Sequence, residues 1–323
     1  MKTSNKWENI RAEKIDEITM KNAILKSGYF MERRVASLLR DKGYKVITNR
    51  GFVDQETDKS REYDVYAYKD IIVYEPGSFS IYPTLICECK NNPLPIVFFA
   101  QEPGQFKPLI DEVAISGIPT KIWLDKKYIS IQEFTDVKKF HHYCLPRVPV
   151  STQCCTFEMK KDKSSWMASH GEELYEIFRT ITKALEQEID NDFRNMNQWF
   201  APEEKEKQFI DLSFYYPLVI FQGEIYVANQ NDNDITLEKR EHIQYNPEFF
   251  SFYENEVISY HIDIITEKYL PTYLDLVNDE MNVIRYKLLQ QKEDVIATID
   301  RLLIECNLEK KQKTYRTQLE FRF

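Results

Sequence analysis

An apolar strand that ends on opposite charges constrains this chain more than any other feature. Residues 83–93 read PTLICECKNNP. Side chains alternate faces along a strand. Leu85, Cys87 and Cys89 therefore share one face, and Ile86, Glu88 and Lys90 share the other. The first face is apolar throughout and calls for a helix packed on it. The carboxylate and ammonium of the second face must then open into a cleft, because an unpaired buried charge is costly.

The segments upstream supply partners. REYDVYAY (61–68) alternates and reads as a strand, with Asp64, Tyr66 and Tyr68 on one face and Val65 and Ala67 on the other. Pairing it with 84–90 would set Asp64 near Glu88. Two carboxylates at that range repel unless one is protonated or a cation lies between them. Such an oxygen-rich pair suits a hard divalent ion such as Mg²⁺. GYFMERRVASLLRDK (28–42) carries Met31, Val35, Leu38 and Leu39 at helical spacing, and Gly43 follows as a stop. Glu32 lies on the same helix. YKVIT (44–48) reads as a strand and 49–60 as a polar loop.

In this order the pieces are a helix with Glu32, a strand, a strand with Asp64, and a strand with Glu88-Cys89-Lys90. Over residues 28–92 this resembles the PD-(D/E)XK nuclease superfamily, the restriction-endonuclease-like fold. Tyr63 stands where that family commonly has a proline before the aspartate. The resemblance implies that Asp64 and Glu88 hold Mg²⁺, which Mn²⁺ can replace. It implies that the backbone carbonyl of Cys89 and the carboxylate of Glu32 complete the metal shell. Lys90 would position the attacking water and offset phosphate charge. The implied activity is metal-dependent endonucleolytic hydrolysis of DNA, in a prokaryotic restriction, anti-phage defence or repair setting. RNA remains open as a substrate, since the 2′-hydroxyl contacts that separate the two leave no motif. A homodimer is the expectation where two sites cut two strands.

The remaining chain is read onto that frame. Expected are a strand at 119–124, a short helix over 106–116 and a strand at 148–159. A capping box at Ser169 and Glu172 opens a helix to about Asp190. A hairpin over 213–228 turns at Gln222-Gly223, 257–266 is one strand, and 273–304 is helical. The expected fold is α/β, a mixed central sheet flanked by helices. Residues 1–270 form the nuclease-like domain, with core elements at 28–92 and about 170–266 and an insertion at 93–165. Residues 271–323 form a helical C-terminal extension. A second reading divides the chain near residue 165.

Composition bounds these readings. With 323 residues, 43% hydrophobic, and only 8 Gly and 13 Pro, the chain is long and apolar enough for a sizeable core. No apolar run approaches the ~18 residues of a membrane span, so the expectation is a soluble cytoplasmic protein with no membrane partner. The 6 cysteines include no CxxC pair, which fits reduced thiols. The net charge of −9 opposes a surface coated in nucleic-acid contacts. Residues 1–150 nevertheless hold 23 basic against 20 acidic residues, leaving 20 against 32 for the rest. Nucleic-acid contacts would thus fall in the first half, around Lys42, Lys45, Arg50, Lys59 and Arg61. The acidic second half would suit a protein partner.

Blander readings compete. Glu88 and Lys90 could form an ordinary ion pair at a strand exit, Asp64 could guard a sheet edge, and Glu32 beside Arg33 and Arg34 could face solvent. The fold could then serve as an inactive module that binds nucleic acid or protein. His141, His142 and Cys144, with Cys154 and Cys155, lack zinc-site spacing, and adjacent cysteines are awkward in a tetrahedral shell.

Overall fold

The computed structural model describes residues 15–74, 79–100, 113–145, 148–160, 165–199, 210–231, 234–251, 254–302 and 304. Two helices come first. Helix α1 (Glu17–Lys26) starts at Asp16, whose carboxylate accepts the Thr19 N–H at 2.8 Å. Helix α2 (Tyr29–Asp41) buries Met31, Val35, Ala36 and Leu39 and leaves Leu38 partly covered. It ends as the sequence predicts. Gly43 takes φ +85°, its N–H bonds to Arg40, and the Tyr44 N–H reaches back to Leu39.

Strands β1 (Lys45–Asp54) and β2 (Lys59–Tyr68) pair antiparallel along their whole length. The polar loop expected at 49–60 is therefore mostly strand. Its polar side chains have partners on a distant helix, as described below. Short β3 (Ile71–Tyr74) and long β4 (Phe79–Lys90) follow, both antiparallel within the same sheet. Next come β5 (Ile96–Ala100), β6 (Ile115–Gly117), β7 (Lys121–Leu124), β8 (Lys127–Ser130), helix α3 (Ile131–Phe134), β9 (Val150–Met159) and β10 (Trp166–Ser169). The strand expected at 119–124 is β7, and that at 148–159 is β9. Most of the helix expected over 106–116 lies outside the described residues, and its end is strand β6 instead.

Helix α4 (Glu172–Trp199) is longer than predicted. Ser169 does not cap it. That residue ends β10 and its hydroxyl bonds Thr156 and Glu158, while the first helical turn closes on the Gly171 carbonyl. The chain continues through β11 (Ile210–Phe221), β12 (Ile225–Asn231), β13 (Asp234–Arg240), β14 (His242–Tyr245), β15 (Glu248–Ser251), β16 (Glu256–Ser259), β17 (Ile262–Thr266) and helix α5 (Leu270–Gln290), with more helix at 292–302. The single strand expected at 257–266 is thus two. β16 pairs with β15 in a separate hairpin, and β17 joins the main sheet.

That main sheet is mixed and has 13 strands, in the order β1-β2-β4-β11-β17-β14-β9-β5-β12-β13, with β3, β6 and β10 paired to its side. β4 and β11 run parallel through 12 paired positions, from Phe79↔Ile210 to Lys90↔Phe221. Gln222-Gly223 turns the chain but makes no hairpin, because β12 leaves β11 and pairs with β5. β4 and β11 bend together at this corner and continue as β5 and β12. The Gln222 N–H bonds Lys90, and the Ile96 N–H bonds Glu224. A side chain on Gly223 would sit 2.5 Å from the Asn92 carbonyl oxygen, so only glycine allows the two backbones to approach this closely.

Helices cover both faces. Leu85, Cys87 and Cys89 pack with α2 and with Tyr273, Leu274, Val277, Met281 and Ile284 of α5. Ile86 packs on the other face with Phe178, Ile181 and Leu185 of α4. β5 and β9, from the stretch read as an insertion, belong to the main sheet, and α5 belongs to the core layer that holds α2.

Candidate active site

Val65↔Cys87 is the last paired position of the β2–β4 ladder, so the next residues, Asp64 and Glu88, face one another across strands that have begun to part. The following backbone donor, the Cys89 N–H, goes to the Asp64 carboxylate at 2.7 Å rather than to the β2 backbone. One oxygen of Asp64 is thereby fixed against the strand that carries Glu88 and Lys90. Glu88 is 6% exposed, while Lys90 reaches outward with its Nζ 3.9 Å from Glu88 Oε2. That separation is long for a closed ion pair. Glu32 comes from α2, on the opposite face of the sheet.

Electrostatics link the four groups. Burial, then the charge of Asp64, pushes the Glu88 carboxyl up to about 8, with Lys90 pulling back and Glu32 adding to the rise. Burial raises Asp64 as well, against the Cys89 N–H and Lys90. Glu32 is raised by burial and then by Asp64. The structure thus places all four sequence-predicted residues within mutual electrostatic range, at the end of β4. The carboxylates do not collapse into one tight cluster. Among the described residues, the His, Cys, Asp and Glu ligand atoms that group within 4.8 Å are those of His141, His142 and Glu280.

The donors fit a hard cation. All are oxygens, and burial above all raises the carboxyls of Asp64 and Glu88, with the Asp64 charge adding to the rise at Glu88 and Lys90 opposing both. Asp64, Glu88, Glu32 and the Cys89 carbonyl would hold such an ion.

Beside Lys90 opens a cleft of about 620 Å³, walled by Asn91, Asn92, Thr156, Glu158, Glu172 and Glu173 among others. Its charged rim is mainly acidic. The basic side chains expected to follow a phosphate backbone are largely engaged within the fold. Arg50 donates twice to Glu188 at 2.7 Å, Arg61 pairs with Asp54 at 2.7 Å, and Lys42 with Asp275 at 3.1 Å. Lys45 lies over the Tyr68 ring.

The His141–His142 pair belongs to a separate, fully buried network that sequence reading flagged but could not place. The Nδ1 and Nε2 of His142 lie 2.8 Å from Glu280 and 2.9 Å from Asp263. Asp263 also receives Tyr143, Tyr273 and His242, and Tyr216 donates to Glu280. Burial alone would push His142 down, but the two carboxylates outweigh it and raise the imidazolium to about 10. Burial holds His141 neutral, down to about 4. The Nδ1 of His141 accepts the Tyr143 N–H, which leaves the ring proton on Nε2, beside Glu280. His142 is bonded at both nitrogens, whereas the buried Nε2 of His141 lies 3.6 Å from Glu280 with no hydrogen-bond partner among the described residues. His142 forms a charged clamp between Asp263 and Glu280, and the ligand atoms of His141, His142 and Glu280 lie close enough together to hold a metal ion. Cys154 and Cys155 lie in β9 and take no part.

No protein-family model, no curated protein and no solved structure matches the chain. Among the described residues no helix is long and apolar enough to cross a membrane.

Proposed function

We propose that the chain is a metal-dependent endonuclease that hydrolyses phosphodiester bonds in DNA, built on a restriction-endonuclease-like core. The observation that carries this reading is the meeting of Asp64, Glu88 and Lys90 at the end of β4, with Glu32 within electrostatic range and all three carboxyls raised chiefly by burial. The element order supports it. Helix α2, strands β1, β2 and β4, then helix α4 and strand β11 come in the order expected of the core elements at 28–92 and about 170–266. A bound Mg²⁺ or Mn²⁺ would supply a nucleophilic water at neutral pH and offset charge as the phosphorus centre becomes pentacovalent. Asp64, with one oxygen pinned by the Cys89 N–H, is pre-oriented for its part. The Lys90 ammonium, free of a tight pair, is available to a phosphate oxygen. The biological setting suggested by the resemblance is prokaryotic restriction, defence or repair.

A specific observation favours a second reading, a nuclease fold kept as a binding or assembly module. The cleft beside Lys90 carries Glu158, Glu172 and Glu173, and the nearby arginines are paired internally. Cleavage of plasmid and single-stranded DNA with Mg²⁺ or Mn²⁺, comparing wild type with Lys90→Ala and Asp64→Ala, decides between them. The nuclease reading expects metal-dependent cleavage lost in both variants. Cleavage indifferent to both would place the site elsewhere. A folded protein that cuts neither DNA nor RNA would leave the module.

A further inference from the structure

A second cavity, of about 470 Å³, lies between α4, β11 and the β15–β16 hairpin and shares no lining residue with the cleft beside Lys90. Its carboxylates are Glu186 and Asp190 of α4 and Glu254, the buried His261 also lines it, and it includes no lysine or arginine. Tyr143, Tyr215 and Tyr260 give it aromatic walls, and Leu185, Ile189 and Ile258 add aliphatic ones. Gln132 also lines it, at 7% exposure. The Gln132 Nε2 donates to the Val113 carbonyl at 3.2 Å, while its Oε1 is buried with no hydrogen-bond partner among the described residues. The Tyr260 hydroxyl donates to Glu186.

The lining therefore offers an excess of acceptors. Three carboxylates against one histidine disfavour an anionic occupant such as a nucleotide or free phosphate. A purely apolar occupant would leave the Gln132 Oε1 desolvated without a partner, at a cost of about 1–3 kcal/mol, and would shut the carboxylates away from water with no counter-charge. A cation that carries several N–H donors on an apolar stem satisfies both parts of the lining. Glu186 and Asp190 stand one helical turn apart, so their Cβ atoms are about 5–6 Å from each other. A short methylene chain separates two ammonium groups by a similar span, and its methylenes can lie against tyrosine rings and leucine or isoleucine side chains. We propose that this cavity binds an aliphatic polyamine, with its ammonium groups on Glu186 and Asp190, its stem between the tyrosines, and Gln132 Oε1 accepting one further N–H.

Calorimetric titration of the full chain with spermidine at physiological salt tests this, with parallel titrations of putrescine and of Mg²⁺. The expected result is saturable one-to-one binding of spermidine that survives excess Mg²⁺. Glu186→Gln and Asp190→Asn should each weaken it about tenfold or more, as the loss of a charge-assisted contact does. Ile258→Trp, which fills the cavity and leaves every carboxylate in place, should abolish it. That variant keeps the test decisive if the carboxylate variants fold poorly, and thermal melting of each variant without ligand checks folding. Absence of binding, binding unchanged in all the variants, or displacement by equimolar Mg²⁺ would each overturn the proposal; the last outcome would mean a site for inorganic cations only. DNA cleavage is read in a separate assay on a separate cleft, so failure of the nuclease reading and failure of this one are distinguishable.

Discussion

Glu88 sits almost wholly buried within range of Asp64, and its protonation follows from that. Its folded-state value of about 8 lies above the ~4.3 of an unfolded glutamate, so the folded chain keeps a proton that the unfolded chain releases. Stability supplied this way is present below about pH 4.3 and is lost as pH rises through about 8. Melting temperatures of the metal-free protein should therefore fall across that window, and Glu88→Gln should flatten the decline. Mg²⁺ should raise the wild-type melting temperature more at pH 8 than at pH 5, since the ion takes the place of the proton. A slope unchanged in Glu88→Gln would show that this carboxyl is not the group responsible. Asp64, Glu88 and Lys90 were legible because strand alternation ties spacing to face. The bond from the Cys89 N–H to Asp64 was not, because it depends on where two strands part.

Among the elements, α4 explains why the strands next to the site are long. Arg50 and Asp54 look like loop residues in a linear reading. They become strand residues because Glu188 and Lys183, more than a hundred positions away, complete their charges. Glu188→Ala should cost about 2–3 kcal/mol in denaturant melts. Breaking a wholly buried pair costs roughly 3–5 kcal/mol, and Arg50 keeps some solvent. A loss below about 0.5 kcal/mol would mean that apolar packing alone holds β1 against α4. The corner between β4 and β5 depends on Gly223 in a different way. Gly223→Ala places a carbon against the Asn92 carbonyl and should cost about 1–3 kcal/mol while lowering cleavage, because Lys90 and Asn92 share that corner. Wild-type stability and activity in this variant would refute the close approach. Gln222-Gly223 read as a hairpin because its turn chemistry is local, whereas the choice of β5 as partner for β12 is not.

For the molecule as a whole, the buried network of His142, Asp263 and Glu280 joins β17, α5 and the segment before β9. Its stabilisation is fully present below the ~6.5 of an unfolded histidine and is lost as pH rises through about 10. Wild type should lose melting temperature between pH 7 and pH 10 more steeply than His142→Asn, a higher window than that of Glu88. Asp263→Asn should cost roughly 3–5 kcal/mol, since it strands a buried imidazolium. Retention of wild-type stability would mean that the network is not charged. Charge distribution carries one more expectation. With a net charge of −9 and several basic side chains already paired, DNA binding should release few counterions. The slope of log affinity against log salt in anisotropy titrations should correspond to about three phosphate contacts or fewer. A steep slope would require a basic surface outside the pairs described.

What the sequence determined by itself is what short periods encode. Alternation over a few residues set the faces of β2 and β4, the 3.6-residue stripe and Gly43 set α2, and the Glu88–Lys90 spacing set two site groups on one side of a strand. The tertiary structure alone decided which strands become neighbours in a 13-stranded sheet, which charges are spent on ion pairs, and which histidine keeps its proton. These depend on contacts between residues more than a hundred positions apart, and no local pattern records them, because burial and dielectric surroundings arise only when the layers close.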